Sequence, residues 1–276
     1  MKASETRKIA LESLKSNWKQ AFIITLVFTA IIFCLSFLEA TYQNNTELSL
    51  IFSIIFIVLT VPLSYGFIVS MIKLKKNENQ SFLDYLKFSF SNFKRSWSII
   101  GRTLQKMLLP IILMIIAVFI LAYALVGLTK IGFFLAIAYK GLIMTSAVYN
   151  LLAVALVGFI VYLASIILFI PKFYLYALAY PLAIENPEMS AKDAVAKSAE
   201  LMKGYRFKLF CLLLSFIGWF ILVILVYSIL LNLMPILGIA FFFISYCLLL
   251  PYMMQTYIAF YEDRLKSKVE VIEKNP

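Results

Sequence analysis

Six stretches of this chain are apolar for the thickness of a membrane, and no other feature constrains its fold as strongly. A helix rises about 1.5 Å per residue, so about 20 apolar residues cross the ~30 Å hydrocarbon core of a bilayer. The stretches are residues 21–39, 49–72, 106–128, 148–171, 207–231 and 235–260. A backbone in hydrocarbon must satisfy its own polar groups, which helices do internally. The expected fold is therefore all-α: a polytopic membrane protein with six transmembrane helices. Composition agrees, with 63% apolar and 14% charged residues against about 45–50% and about 25% in soluble domains. The apolar run from Ile131 to Ile184 is too long for one span and too short for two with a loop. We read 131–144 as an outer interfacial segment and 173–184 as the inner continuation of span four beyond a proline; seven spans is the competing count. Residues 1–20 are polar and no small-x-small site follows the first apolar run, so it reads as a retained span rather than a cleavable signal.

The loop charges orient these spans. Lys and Arg number five before span one, eight in 73–106, six in 172–208 and four after span six. The opposite side holds only Lys130 and Lys140. Basic loops stay inside, so both termini are expected in the cytoplasm, and the even span count, which puts them on one side, agrees. The net charge of +11 thus lines one membrane face, where it attracts anionic inner-leaflet lipids. No separate basic domain exists to suggest nucleic acid.

Three basic, aromatic elbows precede the outward spans: residues 10–22, 82–97 and 198–208, the last reading Ser-Ala-Glu-Leu-Met-Lys-Gly-Tyr-Arg-Phe-Lys. Each is an amphipathic helical pattern ending in aromatic and basic residues, as expected of a cytoplasmic interfacial helix. In the third, Ser190 is placed to cap a helix with Asp193 at its third position, and Gly204 to end it in a left-handed conformation. The returning spans contain Pro62, Pro171 and Pro251, each followed by tyrosine. A proline removes one helical hydrogen bond and bends the helix. Pro62, Pro171, Pro251 and Gly204 are the candidate kinks and hinge. Together these features suggest a threefold pseudo-repeat within a single transmembrane domain (about 1–76, 77–187 and 188–265, then a short tail over 266–276), with a tyrosine-lined space open to the cytoplasm.

In the last hundred residues, Ala194, Ser198, Leu201, Met202 and Gly204 precede Leu214, Ser215, Phe216 and Trp219, and Pro251-Tyr252 precedes Phe260-Tyr261. This pattern resembles the bacterial integral membrane family catalogued as domain of unknown function 975. Asn17-Trp18 and Phe82-Leu83-Asp84 match it more loosely, and Lys172 stands where the family has the glycine of Ile-Pro-Gly. The resemblance implies six spans and a bacterial origin, and brings no activity with it.

Catalytic chemistry has few residues to use. The chain has no histidine, so it lacks imidazole acid–base pairs and His-based triads. Its 14 carboxylates avoid the span cores, and none lies between Asp84 and Glu185, which leaves an intramembrane proton relay without its group. Glu262-Asp263 beside Tyr261 is the one acidic pair considered for catalysis. Cys34, Cys211 and Cys247 sit in apolar runs and suggest neither a metal site nor a disulfide. We expect no enzyme, cofactor or metal. Arg102, Lys106, Lys172, Lys203, Tyr205, Arg206 and Lys208 are the candidate contacts to a lipid headgroup or ligand, while Gly158, Gly218 and Gly238 are candidates for close helix approach. Two functions fit: an accessory, scaffold or immunity-type component working with a membrane partner such as an ABC-type exporter, or a carrier or flippase for an amphipathic substrate.

Overall fold

The computed structural model describes the backbone of residues 2–139 and 146–274 and the side chains of residues 2–130 and 148–267. Every described element is a helix. They run α1 (Ala3–Lys15), α2 (Trp18–Thr41), α3 (Thr46–Lys75), α4 (Phe82–Ser91), α5 (Phe93–Tyr139), α6 (Ser146–Leu175), α7 (Ala179–Glu185), α8 (Ala191–Met202), α9 (Arg206–Leu214), α10 (Ile217–Leu233) and α11 (Pro235–Lys274). Among the described residues, six segments are long and apolar enough to cross a membrane: Trp18–Thr41, Thr46–Lys75, Phe93–Lys130, Val148–Glu185, Arg206–Leu233 and Pro235–Ser267. Their outward faces are apolar, and α10 buries none of its residues. Water would penalise such a surface; lipid does not.

The chain divides into two compact units, Met1–Arg102 with Leu175–Pro276, and Thr103–Tyr174. In the smaller unit α5 and α6 approach closely: a Cβ on Gly158 would lie 2.8 Å from Ile120, and one on Gly127 2.8 Å from Leu151. Pro110 lies inside α5. In the larger unit α1 packs its row Thr6, Ala10 and Leu14 against α11. The core joins Leu14, Ile24, Leu63, Phe67, Met71, Tyr85 and Ile258, drawn from α1, α2, α3, α4 and α11. A second cluster joins Tyr65, Val69, Ile99, Ala179, Ala183, Ala194 and Val195.

Local chemistry sets the ends of these helices. Asn45 accepts from the Leu48 amide at 3.1 Å to start α3, and Ser81 accepts from the Asp84 amide at 3.3 Å to start α4. Asn77 closes α3 at φ 57°, a left-handed position that its short polar side chain tolerates. At the elbow, the Ser190 hydroxyl accepts from the Asp193 amide at 3.1 Å and Gly204 has φ 84°, so α8 starts and stops where expected. Its Ala194, Ser198, Leu201 and Met202 are buried, while Lys192 and Glu200 are exposed.

Other boundaries differ from expectation. The pattern over 82–97 is two helices, broken at Asn92, whose side-chain amide folds back to donate to the Phe88 carbonyl at 3.2 Å; Arg95 and Trp97 therefore ride on α5. Span five is interrupted at Ser215 and Phe216, where the Ser215 hydroxyl donates to the Leu212 carbonyl at 2.6 Å and the Phe216 amide reaches back only three residues, to Leu213. Span four stops at residues 176–178 before α7. Pro62 and Pro251 lie buried inside α3 and α11, and Pro171 is exposed inside α6. Gly238 does bring α11 near α10, a Cβ there meeting Leu231 backbone at 2.8 Å, whereas Gly218 faces open space. Helical backbone continues through 131–139, where the outer segment was expected; the rest of that segment lies outside the described residues. The tail over 266–274 continues α11.

Candidate functional site

The polar residues of the larger unit collect around one side chain that the sequence left inconspicuous. Arg95, in the first turn of α5, donates to the carbonyls of Ala183 at 2.8 Å, Asn186 at 2.9 Å, Pro187 at 2.5 Å and Met189 at 3.1 Å. These oxygens end α7 and form the turn into α8, where a helix leaves carbonyls unpaired and carries partial negative charge. A planar guanidinium suits that fan of acceptors better than an ammonium would. Beside it, Tyr65 stacks edge-on against Tyr180 with ring centroids 5.5 Å apart.

Ion pairs continue the network. Lys75 meets Glu262 at 2.7 Å, Lys76 meets Glu185 at 3.0 Å and Lys73 meets Glu78 at 3.1 Å. The Tyr261 hydroxyl donates to Glu185 at 2.9 Å, and Asp263 pairs with Arg264. The acidic pair considered for catalysis is thus engaged with bases. A cleft of about 360 Å³ opens here, lined by Tyr65, Lys73, Lys76, Asn92, Arg95 and Glu185. It is one tyrosine-bearing space, although its polar walls are mostly Lys, Arg and Glu.

Buried hydroxyls and amides tie the same end together. Ser198 accepts from the Leu178 amide at 3.1 Å and donates to the Leu175 carbonyl at 3.0 Å, across the break between α6 and α7. Tyr257 donates to the Ala177 carbonyl in that break. Gln255, fully buried in α11, donates to the Met71 carbonyl at 2.7 Å. The Asn17 side-chain amide donates to the Leu74 carbonyl at 3.2 Å and to the Asn77 side-chain oxygen at 2.9 Å. Tyr85, also buried, donates to the Leu63 carbonyl at 3.4 Å. Burial pushes its phenol well above the usual range and keeps it a donor.

The sequence candidates divide between places. Tyr205, within the elbow, gives its ring to the guanidinium of Arg264, 3.8 Å from the centroid, and Lys208 lies 5.9 Å from that ring. Lys203 is exposed, and Arg206 half-buried in the same turn. Arg102 and Lys106 are exposed on α5, and Lys172 is partly buried near the end of α6. Arg95, Gln255 and Asn17 organise this end of the unit, roles that no sequence pattern marks. The acceptors of Arg95 lie 88 to 94 residues away along the chain, so no spacing pattern points to them.

A second feature of the larger unit is an apolar groove of about 650 Å³ formed by α1, α2, α10 and α11. Trp219, Leu222 and Val226 of α10 face Phe241, Leu248 and Tyr252 of α11 across it. Arg7 and Trp18 stand at its polar end, the end of Trp219 and Tyr252.

No curated protein and no solved structure matches this chain. One family model does match, over residues 1–268. The chain belongs to the family described as protein of unknown function (DUF975).

Proposed function

We propose that this chain is a non-enzymatic component of a bacterial cell membrane, with both termini cytoplasmic, serving as an accessory or scaffold subunit for a membrane partner such as an exporter. The observation that carries this reading is the use made of the charged residues. Arg95, Lys73, Lys75 and Lys76, with Glu78, Glu185 and Glu262, are engaged in joining α3, α5, α7, α8 and α11. A general acid or base needs a group free to exchange a proton with substrate, whereas a scaffold needs a rigid face. Mild crosslinking in native membranes followed by co-purification on a tagged chain tests the reading. A stoichiometric membrane partner is expected, weakened by reversing charge on the outer face of α8 with Lys192→Glu and Lys197→Glu. A tagged chain that purifies alone from crosslinked membranes overturns it.

The apolar groove favours one alternative, a carrier or flippase for an amphipathic substrate. Purified chain in proteoliposomes would then accelerate the exchange of a labelled phospholipid between leaflets. An exchange rate equal to that of protein-free vesicles removes this alternative.

A further inference from the structure

We propose that the groove formed by α1, α2, α10 and α11 binds one anionic glycerophospholipid, with its phosphate at Arg7 and an acyl chain running between Leu222 and Leu248. This site goes beyond the scaffold reading and does not depend on it.

The groove runs along two antiparallel helices. On α10 its stripe is Trp219, Leu222, Val223 and Val226, and on α11 it spans Phe241 to Tyr252. Eleven steps at 1.5 Å make it about 16 Å long, close to half of the ~30 Å hydrocarbon core. One leaflet's chain fits that length. The volume of about 650 Å³ falls within the roughly 300–1,000 Å³ typical of small-molecule sites.

The two ends differ in kind. Towards Val226 and Phe241 the lining is apolar. At the other end Trp18, Trp219 and Tyr252 gather around Arg7, which pairs with no carboxylate among the described residues. Amphipathic rings settle at headgroup depth, and a basic head reaches the surface there. Arg7 is only half-buried on α1, before the first span, and so is within reach of a phosphate. An arginine holds phosphate by parallel, charge-assisted hydrogen bonds.

Physical chemistry then says what the site selects. Exchanging lipid tail for apolar side chain gives little net gain inside a bilayer, so the apolar wall accepts any chain. Discrimination falls to Arg7, which favours an anionic head over a zwitterionic one. A second copy of this chain or a hydrophobic peptide would offer the groove no phosphate.

Native mass spectrometry of the full chain, released from detergent after titration with phosphatidylglycerol or phosphatidylcholine, tests this. The parent should retain one phosphatidylglycerol about fivefold more than phosphatidylcholine, the factor one basic group contributes near an anionic headgroup. Arg7→Gln should equalise the two lipids, and Arg7→Lys should keep most of the preference. Val223→Trp should fill the groove and lower retention of both; if that variant unfolds, Val226→Phe serves the same end. Equal retention of both lipids by the parent, a preference that survives Arg7→Gln, or a lipid-free dimer would each overturn the proposal.

Discussion

Ser198 holds the ends of two helices with one hydroxyl, accepting from Leu178 and donating to Leu175 in a fully buried setting. Ser198→Ala leaves a buried amide unpaired, which costs about 1–3 kcal/mol; a lowered unfolding temperature in detergent, with unchanged helicity, is the expected result. Gly66 does a different job. A Cβ there would lie 2.0 Å from the Ser89 hydroxyl and 2.8 Å from the Ser89 Cα and amide nitrogen. Gly66→Ala should therefore destabilise the fold by about 1–3 kcal/mol or more, as overpacking does. Adding Ser89→Gly should restore only part of that, because the backbone contacts persist. Gly204 completes the contrast: its surroundings are open but its φ is 84°, so the cost of Gly204→Ala is conformational, about 1–2 kcal/mol. Gly204→Asn should cost less than Gly204→Val, since asparagine tolerates that region and a β-branched residue does not.

At the scale of the element, α4 begins with a reciprocal cap. The Ser81 amide and hydroxyl donate to Asp84 at 2.9 and 3.0 Å, and these bonds hold the Asp84 carboxyl below the usual range. A carboxylate with a depressed folded pKa stabilises the fold above its unfolded value of about 3.9. That contribution is lost as pH falls through the folded value. The difference in stability between parent and Asp84→Asn should therefore be constant near neutral pH and shrink towards zero in acid, as read by denaturation across that range. Arg95 acts between elements, gathering the end of α7 and the turn into α8. Arg95→Lys keeps the charge and loses the fork, and each lost charge-assisted bond is worth about 1.5–3 kcal/mol. Faster amide hydrogen exchange across 183–195 in Arg95→Lys, with α2 unaffected, is the expected signature.

Across the whole molecule, the uneven basic loops make a prediction about sidedness. In a background lacking Cys34, Cys211 and Cys247, single cysteines at Asn44, Asn79 and Lys274 report the two faces. An impermeant maleimide added to intact cells should label position 44 alone; labelling at 79 or 274 reverses the topology. Asn79 accepts from Gln20 at 3.0 Å, so its loop is held close to the start of α2, on the side where Lys75 also meets Glu262. The loop over 76–81 and the part of α11 around Glu262 therefore belong to one face of the larger unit.

The sequence by itself determined the class of fold, six apolar segments of membrane-crossing length and the caps of α8. Those properties are local or compositional: transfer into lipid depends on how many apolar residues run together, and Ser190 and Gly204 act on neighbours within a helical turn. It did not determine which face of each span meets another. Spans that are apolar all round carry no stripe to mark an inner side, because lipid tails are as apolar as leucine. Only the tertiary structure decided that Gly66 would sit against Ser89 backbone, and that Gln255 would reach Met71, 184 residues away. Only it placed Arg95 on four carbonyls beyond α6. In a membrane, side-chain packing and a few buried polar bonds choose helix partners, and those meet across distances that no sequence period encodes.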